Sequence, residues 1–151
     1  MTRIFIDSSV FFSAAYSDSG HSRNLLLMAA NEEITIVVSD LVIEETRRNL
    51  SDFSPGKLPF FEQILDAIPF EYVRPTKREV VAATKFVVLK DAPIVAAAKK
   101  ANVDLLVTLD KKHLLGKTDI SEYARVPIFT PKEAFEIKYR YTSIFGNIRF
   151  A

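Results

Sequence analysis

Asp7, Glu45, Asp91 and Asp110 come from distant parts of the chain, yet each falls after an apolar strand-like run or near the start of a helix-like stretch. Asp7 opens Asp7-Ser8-Ser9 behind the run Ile4–Ile6. Asp110 closes Thr108-Leu109-Asp110 behind Asp104–Thr108. Asp91 leads Asp91-Ala92-Pro93, and Glu44-Glu45 follows Ile34–Val38. In an open parallel sheet, ligands bind outside the carboxyl ends of the strands. Carboxylates gathered on that edge repel one another unless cations neutralise them or some keep a proton. A divalent cation with oxygen ligands is the usual remedy, and Mg²⁺ typically takes one or two carboxylates together with water and substrate phosphates.

Each acid alone also has a plain structural reading. Asp91 and Asp110 could be helix N-caps, Asp7 the start of a turn, and Glu45 a solvated helix residue. Their joint placement at strand ends and helix starts favours a shared cleft. The adjacent glutamates separate by helical geometry: Val42, Ile43, Thr46 and Leu50 form the inward face, Glu44 points away, and Glu45 sits at the margin. Glu45 is therefore the expected member of the set, with Glu44 one residue away as the alternative.

The elements that must position these acids can be read from the pattern. Short β-rich runs at Ile4–Ile6, Ile34–Val38, Phe70–Val73, Asp104–Thr108 and Val126–Phe129 alternate with stretches of helical spacing. Those stretches are Ser22–Glu32, Leu41–Leu50, Leu58–Ile68, Lys77–Leu89, Asp91–Ala101 and Pro131–Lys138. Strands separated by helices of this length read as βαβ units around a parallel sheet. Asp91-Ala92-Pro93 and Thr130-Pro131-Lys132-Glu133 place a capping residue and a proline at helix starts. Asn102 follows an alanine-rich stretch, where a left-handed helix end is expected. Phe53–Pro59 reads as a surface loop between two helices.

Composition narrows the function classes. The chain has 151 residues, 48% hydrophobic and 26% charged, the profile of one globular domain rather than a disordered or fibrous chain. No apolar run approaches the roughly 20 residues of a membrane helix, and the N-terminal stretch before Asp7 is too short for a signal peptide. Cysteine is absent, which excludes disulfide scaffolds and thiolate metal sites. A cytoplasmic location is the expectation. With 20 basic against 19 acidic residues, net charge carries no case for nucleic-acid binding, so any such case rests on where the charges sit. His21 and His113 read as surface or loop residues, and their spacing suggests no zinc site.

The segments Ile4-Phe-Ile-Asp7-Ser-Ser9-Val, Val38-Ser39-Asp-Leu-Val-Ile-Glu-Glu45, Asp91-Ala-Pro-Ile-Val-Ala-Ala-Ala98, Leu105-Leu-Val-Thr108-Leu-Asp110 and Val126-Pro-Ile-Phe-Thr-Pro131 together resemble the PIN-domain nucleases. That group includes the toxin halves of many bacterial and archaeal toxin–antitoxin pairs. The resemblance runs from about Thr2 to about Ile137. It implies an α/β fold with a five-stranded parallel sheet of order 3-2-1-4-5 and helices on both faces. The nuclease domain is expected over residues 1–138, with residues 139–151 as a tail packing on the domain or on a partner. The resemblance further implies a Mg²⁺- or Mn²⁺-dependent endoribonuclease whose metal ligands and catalytic acids are Asp7, Glu45, Asp91 and Asp110. Ser9 and Thr108 match supporting positions, or else they are turn and strand-end residues. The implied reaction is metal-assisted hydrolysis of an RNA phosphodiester by in-line attack of water, leaving a 5′-phosphate and a 3′-hydroxyl.

An acidic pocket repels RNA, so neighbouring cations must attract it. Arg47, Arg48, Lys90, Lys111, Lys112 and Lys57 are the candidates, with simple solvated faces as the alternative. The resemblance adds a small antitoxin protein and a homodimer as partners; Leu25–Met28 and Phe60–Leu65 are apolar enough to contribute to pairing, although most of that surface is expected in the core. Two other readings compete. One is a non-catalytic PIN-like module that binds RNA or protein, against which the four acids argue. The other is a phospho-receiver domain, which needs paired acids after the first strand and a lysine after the fifth; here one aspartate and Thr130-Pro131 stand there.

Overall fold

The computed structural model describes residues 1–137. The expected tail, 139–151, lies outside them. Five strands, β1 (Arg3–Ile6), β2 (Thr35–Ser39), β3 (Glu71–Val73), β4 (Leu105–Val107) and β5 (Ile128–Phe129), form one parallel sheet of order β3-β2-β1-β4-β5. Seven α-helices connect them: α1 (Ser8–Tyr16), α2 (His21–Ala30), α3 (Asp40–Phe53), α4 (Leu58–Ala67), α5 (Lys77–Ala83), α6 (Ala92–Ala101) and α7 (Thr118–Ala124). Residues 131–137 are helical as well. The expected α/β class and strand order are those observed.

β1 lies at the centre because it is buried on both faces: Ile4, Phe5 and Ile6 are at most 1% exposed. The chain leaves β1 toward β2 on one side and reaches β4 on the other. A crevice opens where the strand order reverses. The pairs Ile4↔Leu105 and Ile6↔Val107 set the register there. Asp7 is thereby the first residue past the end of β1, and its N–H donates to the Val107 carbonyl at 3.3 Å.

Two helices differ from the sequence reading by their presence. α1 begins directly at the strand end, with Asp7 as its N-cap accepting from the Val10 N–H. No loop separates strand from helix, so the pattern carries no break to mark it. α7 is a single short helix with two buried residues, Ile120 and Ala124, too few to set a period. α5 ends at Ala83 rather than near Leu89, since the Thr84 hydroxyl donates to the Val81 carbonyl and the chain turns to bury Val87. The expected loop at Phe53–Pro59 shrinks: α3 runs through Phe53, a 3₁₀ turn covers Pro55–Lys57, and Leu58 starts α4. Proline at the first turn of α4 fixes that start.

Capping signals read from sequence are found at two helix ends. The Thr130 and Glu133 side chains exchange bonds with each other's backbone N–H at 3.1 and 3.0 Å. Asn102 ends α6 in the left-handed conformation, at φ 52°. Asp91 is a correction, because its side chain makes no cap bond.

Packing then fixes the elements that carry the acids. α6 buries Ala92, Ile94, Val95, Ala96, Ala97 and Ala98; its alanines let the helix backbone lie close to its neighbours. At its far end, the Arg3 guanidinium donates to the Ala101 and Asn102 carbonyls and pairs with Glu71, tying α6, β1 and β3 together. On the other side, Phe11 of α1 meets Phe61 of α4 edge-on, with centroids 5.0 Å apart, and Phe70 at 5.4 Å. Leu25, Leu26, Phe61 and Ile64 are core, while Leu27 is exposed. Among the described residues, no helix is long and apolar enough to cross a membrane. Replacing the fully buried Phe61 with alanine is expected to lower unfolding stability by about 3–5 kcal/mol, read from urea denaturation followed by circular dichroism.

Candidate active site

The crevice beyond β1 and β4 is built from three junctions, two that follow strands and one that joins a 3₁₀ turn to a helix. Asp7 caps α1, Asp91 ends the 3₁₀ turn Leu89–Asp91 before α6, and Asp110 closes the turn after β4. Asp7 is only 6% exposed. Its Oδ1 accepts from the Ser9 hydroxyl at 2.6 Å and from the Val10 N–H at 3.1 Å, and its Oδ2 accepts from the Thr108 hydroxyl. Ser9 and Thr108 also bind the β4 turn, accepting from the Leu109 and Asp110 N–H groups at 3.2 and 3.0 Å. These two hydroxyls thus lock the acid of β1 to the turn that carries the acid of β4.

Burial and mutual repulsion set the charges. Burial pushes the Asp7 carboxyl above its ordinary range, opposed by the Ser9, Thr108 and Val10 donors and aided by the nearby Asp110 charge. Burial likewise raises Asp91, with Lys90 and His113 pulling it down and Asp110 and Asp7 pushing it up. Burial also acts upward on Asp110, but the His113 backbone N–H, the His113 ring beside it and the Lys90 charge outweigh it and hold that carboxyl low. Asp91 has a buried Oδ2 with no hydrogen-bond partner among the described residues. A buried carboxylate oxygen left unpaired is costly, and this one is open to a ligand.

Glu45 stands at the rim. It is half-buried while Glu44 is exposed, and its Oε2 accepts from the Ser8 hydroxyl at 2.8 Å. Ser8 is the residue after Asp7, so α3 brings Glu45 to the mouth of α1. The structure therefore couples the charges of Asp7, Asp91 and Asp110 and holds Glu45 on Ser8, the neighbour of Asp7 in sequence.

The cationic candidates fare differently. Arg47 is engaged by Glu62 through two bonds of 2.7 and 3.2 Å and lies over the Phe61 ring, fastening α3 to α4. Lys57 faces Asp18 at 3.5 Å. Arg48, Lys111 and Lys112 are exposed, and Lys90 is exposed with its charge acting on Asp91 and Asp110.

One residue of the crevice, His113, reads from sequence as a surface or loop residue. His113 does lie in the turn after β4, but its Nδ1 sits 3.3 Å from Asp110 Oδ2 and 3.8 Å from Asp91 Oδ2. The ligand atoms of Asp91, Asp110 and His113 all lie within 4.8 Å of one another. The signal in the sequence is the spacing Asp110-Lys-Lys-His113, which a tight turn closes. Oxygen-rich donors around an orphaned carboxylate fit a divalent cation such as Mg²⁺ or Mn²⁺.

A family model described as the PIN domain matches residues 3–112. A comparison with curated proteins returns no match. Among solved structures, the chain resembles PAE2754 from Pyrobaculum aerophilum with a TM-score of 0.63 at 14% identity, covering 92% of this chain and 90% of that one. It also resembles FitAcB from Neisseria gonorrhoeae (TM-score 0.57, 17% identity, 85% of this chain and 98% of that one). A third is VapC20 from Mycobacterium tuberculosis, a Sarcin-Ricin loop cleaving toxin (0.52, 15%, 72% and 91%). At these identities the structures attest the fold, and the family match covers all four acids. The sheet order, the acidic crevice at its switch point and the match over most of the sequence converge: this chain belongs to the PIN-domain family of nucleases.

Proposed function

We propose that this chain is a Mg²⁺- or Mn²⁺-dependent endoribonuclease that hydrolyses RNA phosphodiesters in the crevice beyond β1 and β4, and that it serves as the toxin of a toxin–antitoxin pair. The observation that carries the reading is the buried, unpartnered Asp91 Oδ2 facing a second acid in that crevice. The toxin role is supported by the likeness to VapC20, described as a toxin, and to VapBC2 from Rickettsia felis, solved on a DNA fragment from their promoter. RNA is the substrate in this reading, with a small antitoxin and a second copy of the chain as protein partners.

Asp91 and Asp110 would hold the cation, with Asp7 and Glu45 completing its surroundings. Once bound there, Mg²⁺ or Mn²⁺ supplies Lewis acidity at the phosphate and a water of lowered pKa. The chain's own residues do the rest. Ser9, Thr108 and the Val10 N–H hold Asp7 in one orientation and favour its ionised form against burial. The turn N–H groups keep Asp110 charged. Lys90, Arg48 and Lys111 offer phosphate contacts around the rim, a role that the Glu62 pair withholds from Arg47.

Labelled single-stranded RNA is expected to be cut with Mg²⁺ or Mn²⁺ and left intact with chelator. Asp7→Asn and Asp91→Asn should each slow cutting by about 100-fold or more, and cutting that survives both would sink the reading. Lys90→Ala is expected to weaken RNA binding and flatten its salt dependence by about one charge, while Arg47→Ala leaves that slope unchanged; filter binding across a salt series separates them.

The crowded acids also make a stability statement. A carboxyl raised by folding binds its proton more tightly folded than unfolded, so stability falls as pH rises from the ordinary carboxylate range through the raised value. Asp91 behaves this way. Metal-free Asp91→Asn is therefore expected to melt about 2 °C or more above wild type at neutral pH, with the difference vanishing below pH 3.8, the ordinary value for aspartate. Thermal melts across pH in the presence of chelator check the sign.

A further inference from the structure

The fourth acid of the crevice does more than contribute charge. Its carboxylate closes the turn that follows it: Asp110 Oδ1 accepts from the Lys112 and His113 N–H groups at 3.1 and 2.9 Å. The Asp110 carbonyl accepts from Leu114 and Leu115 at 3.3 and 2.9 Å, and Leu114 is fully buried beneath. The turn is thus anchored at both ends. It brings the His113 ring back over the other oxygen, Asp110 Oδ2, and beside the unpartnered Asp91 Oδ2.

The two distances from His113 can be set against those between ligands of one ion. Ligands held at roughly 2.1 Å from a six-coordinate centre lie about 3 Å apart when adjacent and about 4.2 Å apart when opposite. His113 Nδ1 lies 3.3 Å and 3.8 Å from the two carboxylate oxygens, inside that span. The ring is partly shielded, with 25% of its side chain exposed, while the Asp91 and Asp110 side chains are 13% and 19% exposed. His113 Nδ1 approaches Asp110 Oδ2 and leaves Asp91 Oδ2, 3.8 Å away, without a hydrogen bond.

We propose that His113 is a nitrogen ligand of the cation held by Asp91 and Asp110, and that it biases this site toward Mn²⁺ over Mg²⁺. The proposal rests on the metal-site reading given above. The selectivity follows from donor chemistry. Mg²⁺ takes oxygen ligands and keeps its waters, whereas imidazole nitrogen suits transition-metal ions. A set of carboxylates alone discriminates poorly between the two ions. One nitrogen donor, fixed by a turn that the neighbouring acid itself closes, shifts the balance.

The test uses the purified full chain and Mn²⁺ or Mg²⁺ alone, without RNA. Binding is followed by loss of the free Mn²⁺ electron paramagnetic resonance signal and by calorimetry for both ions. Pulsed resonance on bound Mn²⁺ reads nitrogen coordination directly. The variants are His113→Asn, whose amide oxygen can stand near the position of Nδ1, and His113→Ala, with circular dichroism to confirm that both fold. Wild type is expected to show nitrogen modulation that both variants lose. Their Mn²⁺ affinity should fall by about tenfold or more, with Mg²⁺ affinity little changed, so the preference for Mn²⁺ collapses. Bound Mn²⁺ without nitrogen modulation in wild type, or modulation that persists in both variants, overturns the role of His113 and leaves the carboxylate site standing. No Mn²⁺ binding by folded wild type overturns the metal-site reading and this proposal with it.

Discussion

Like charges held close in a poorly hydrated crevice are the constraint on which the rest of this structure depends. The Asp110 charge acts on Asp7 and Asp91, Asp7 acts on Asp91, and burial drives Asp7 and Asp91 toward the protonated form. A fold that merely sought stability would not gather them there, because buried charges without partners oppose folding. The surrounding architecture answers that opposition piece by piece. Two hydroxyls and a backbone N–H satisfy Asp7, a turn satisfies Asp110, and Asp91 alone is left with an open oxygen. The uneven distribution of hydrogen bonds is informative, since it shows which acid the protein itself does not complete.

The sheet turns this local chemistry into a global requirement. β1 and β4 must be neighbours in one register for the Thr108 hydroxyl to reach Asp7, and the link spans 101 positions of sequence. The same neighbours form the switch point where connections leave in opposite directions, so the crevice and the charge cluster share a single topological cause. Arg3 works at the opposite edge, gathering the start of β1, the start of β3 and the end of α6. Those contacts fix the far end of the helix that Asp91 precedes.

Much of this is legible in the sequence, and what is not has physical reasons. Alternation of apolar runs revealed the βαβ plan, and the positions of the acids against that plan revealed the crevice. The choice of Glu45 over Glu44 came from helical angle alone; the structure has Glu45 half-buried on Ser8 and Glu44 exposed. α1 escaped because a strand passing straight into a capped helix leaves no polar gap. Asp91 looked like a cap since aspartate before Ala-Pro commonly is one, yet its backbone is already helical, at φ −97° and ψ −9°, and its side chain is not spent on the helix. Arg47 looked free because its partner, Glu62, lies on a helix whose approach no local pattern encodes. His113 hid for the same reason: its meaning depends on a turn, and turns that close on a side chain have no period.

The alanine face of α6 has a consequence for how this protein can change over evolutionary time. Ala92, Ala96, Ala97 and Ala98 are at most 3% exposed, and any added methylene there meets packed neighbours. Relief would come by displacing the helix, and Asp91 stands one residue before it. Substitution at these positions is therefore coupled to the chemistry although none of them touches it. The rim is under no such coupling, because Arg48, Lys111 and Lys112 project outward. Descendants of this sequence are free to drift in what they attract while remaining nearly frozen in the small residues that hold the acid in place.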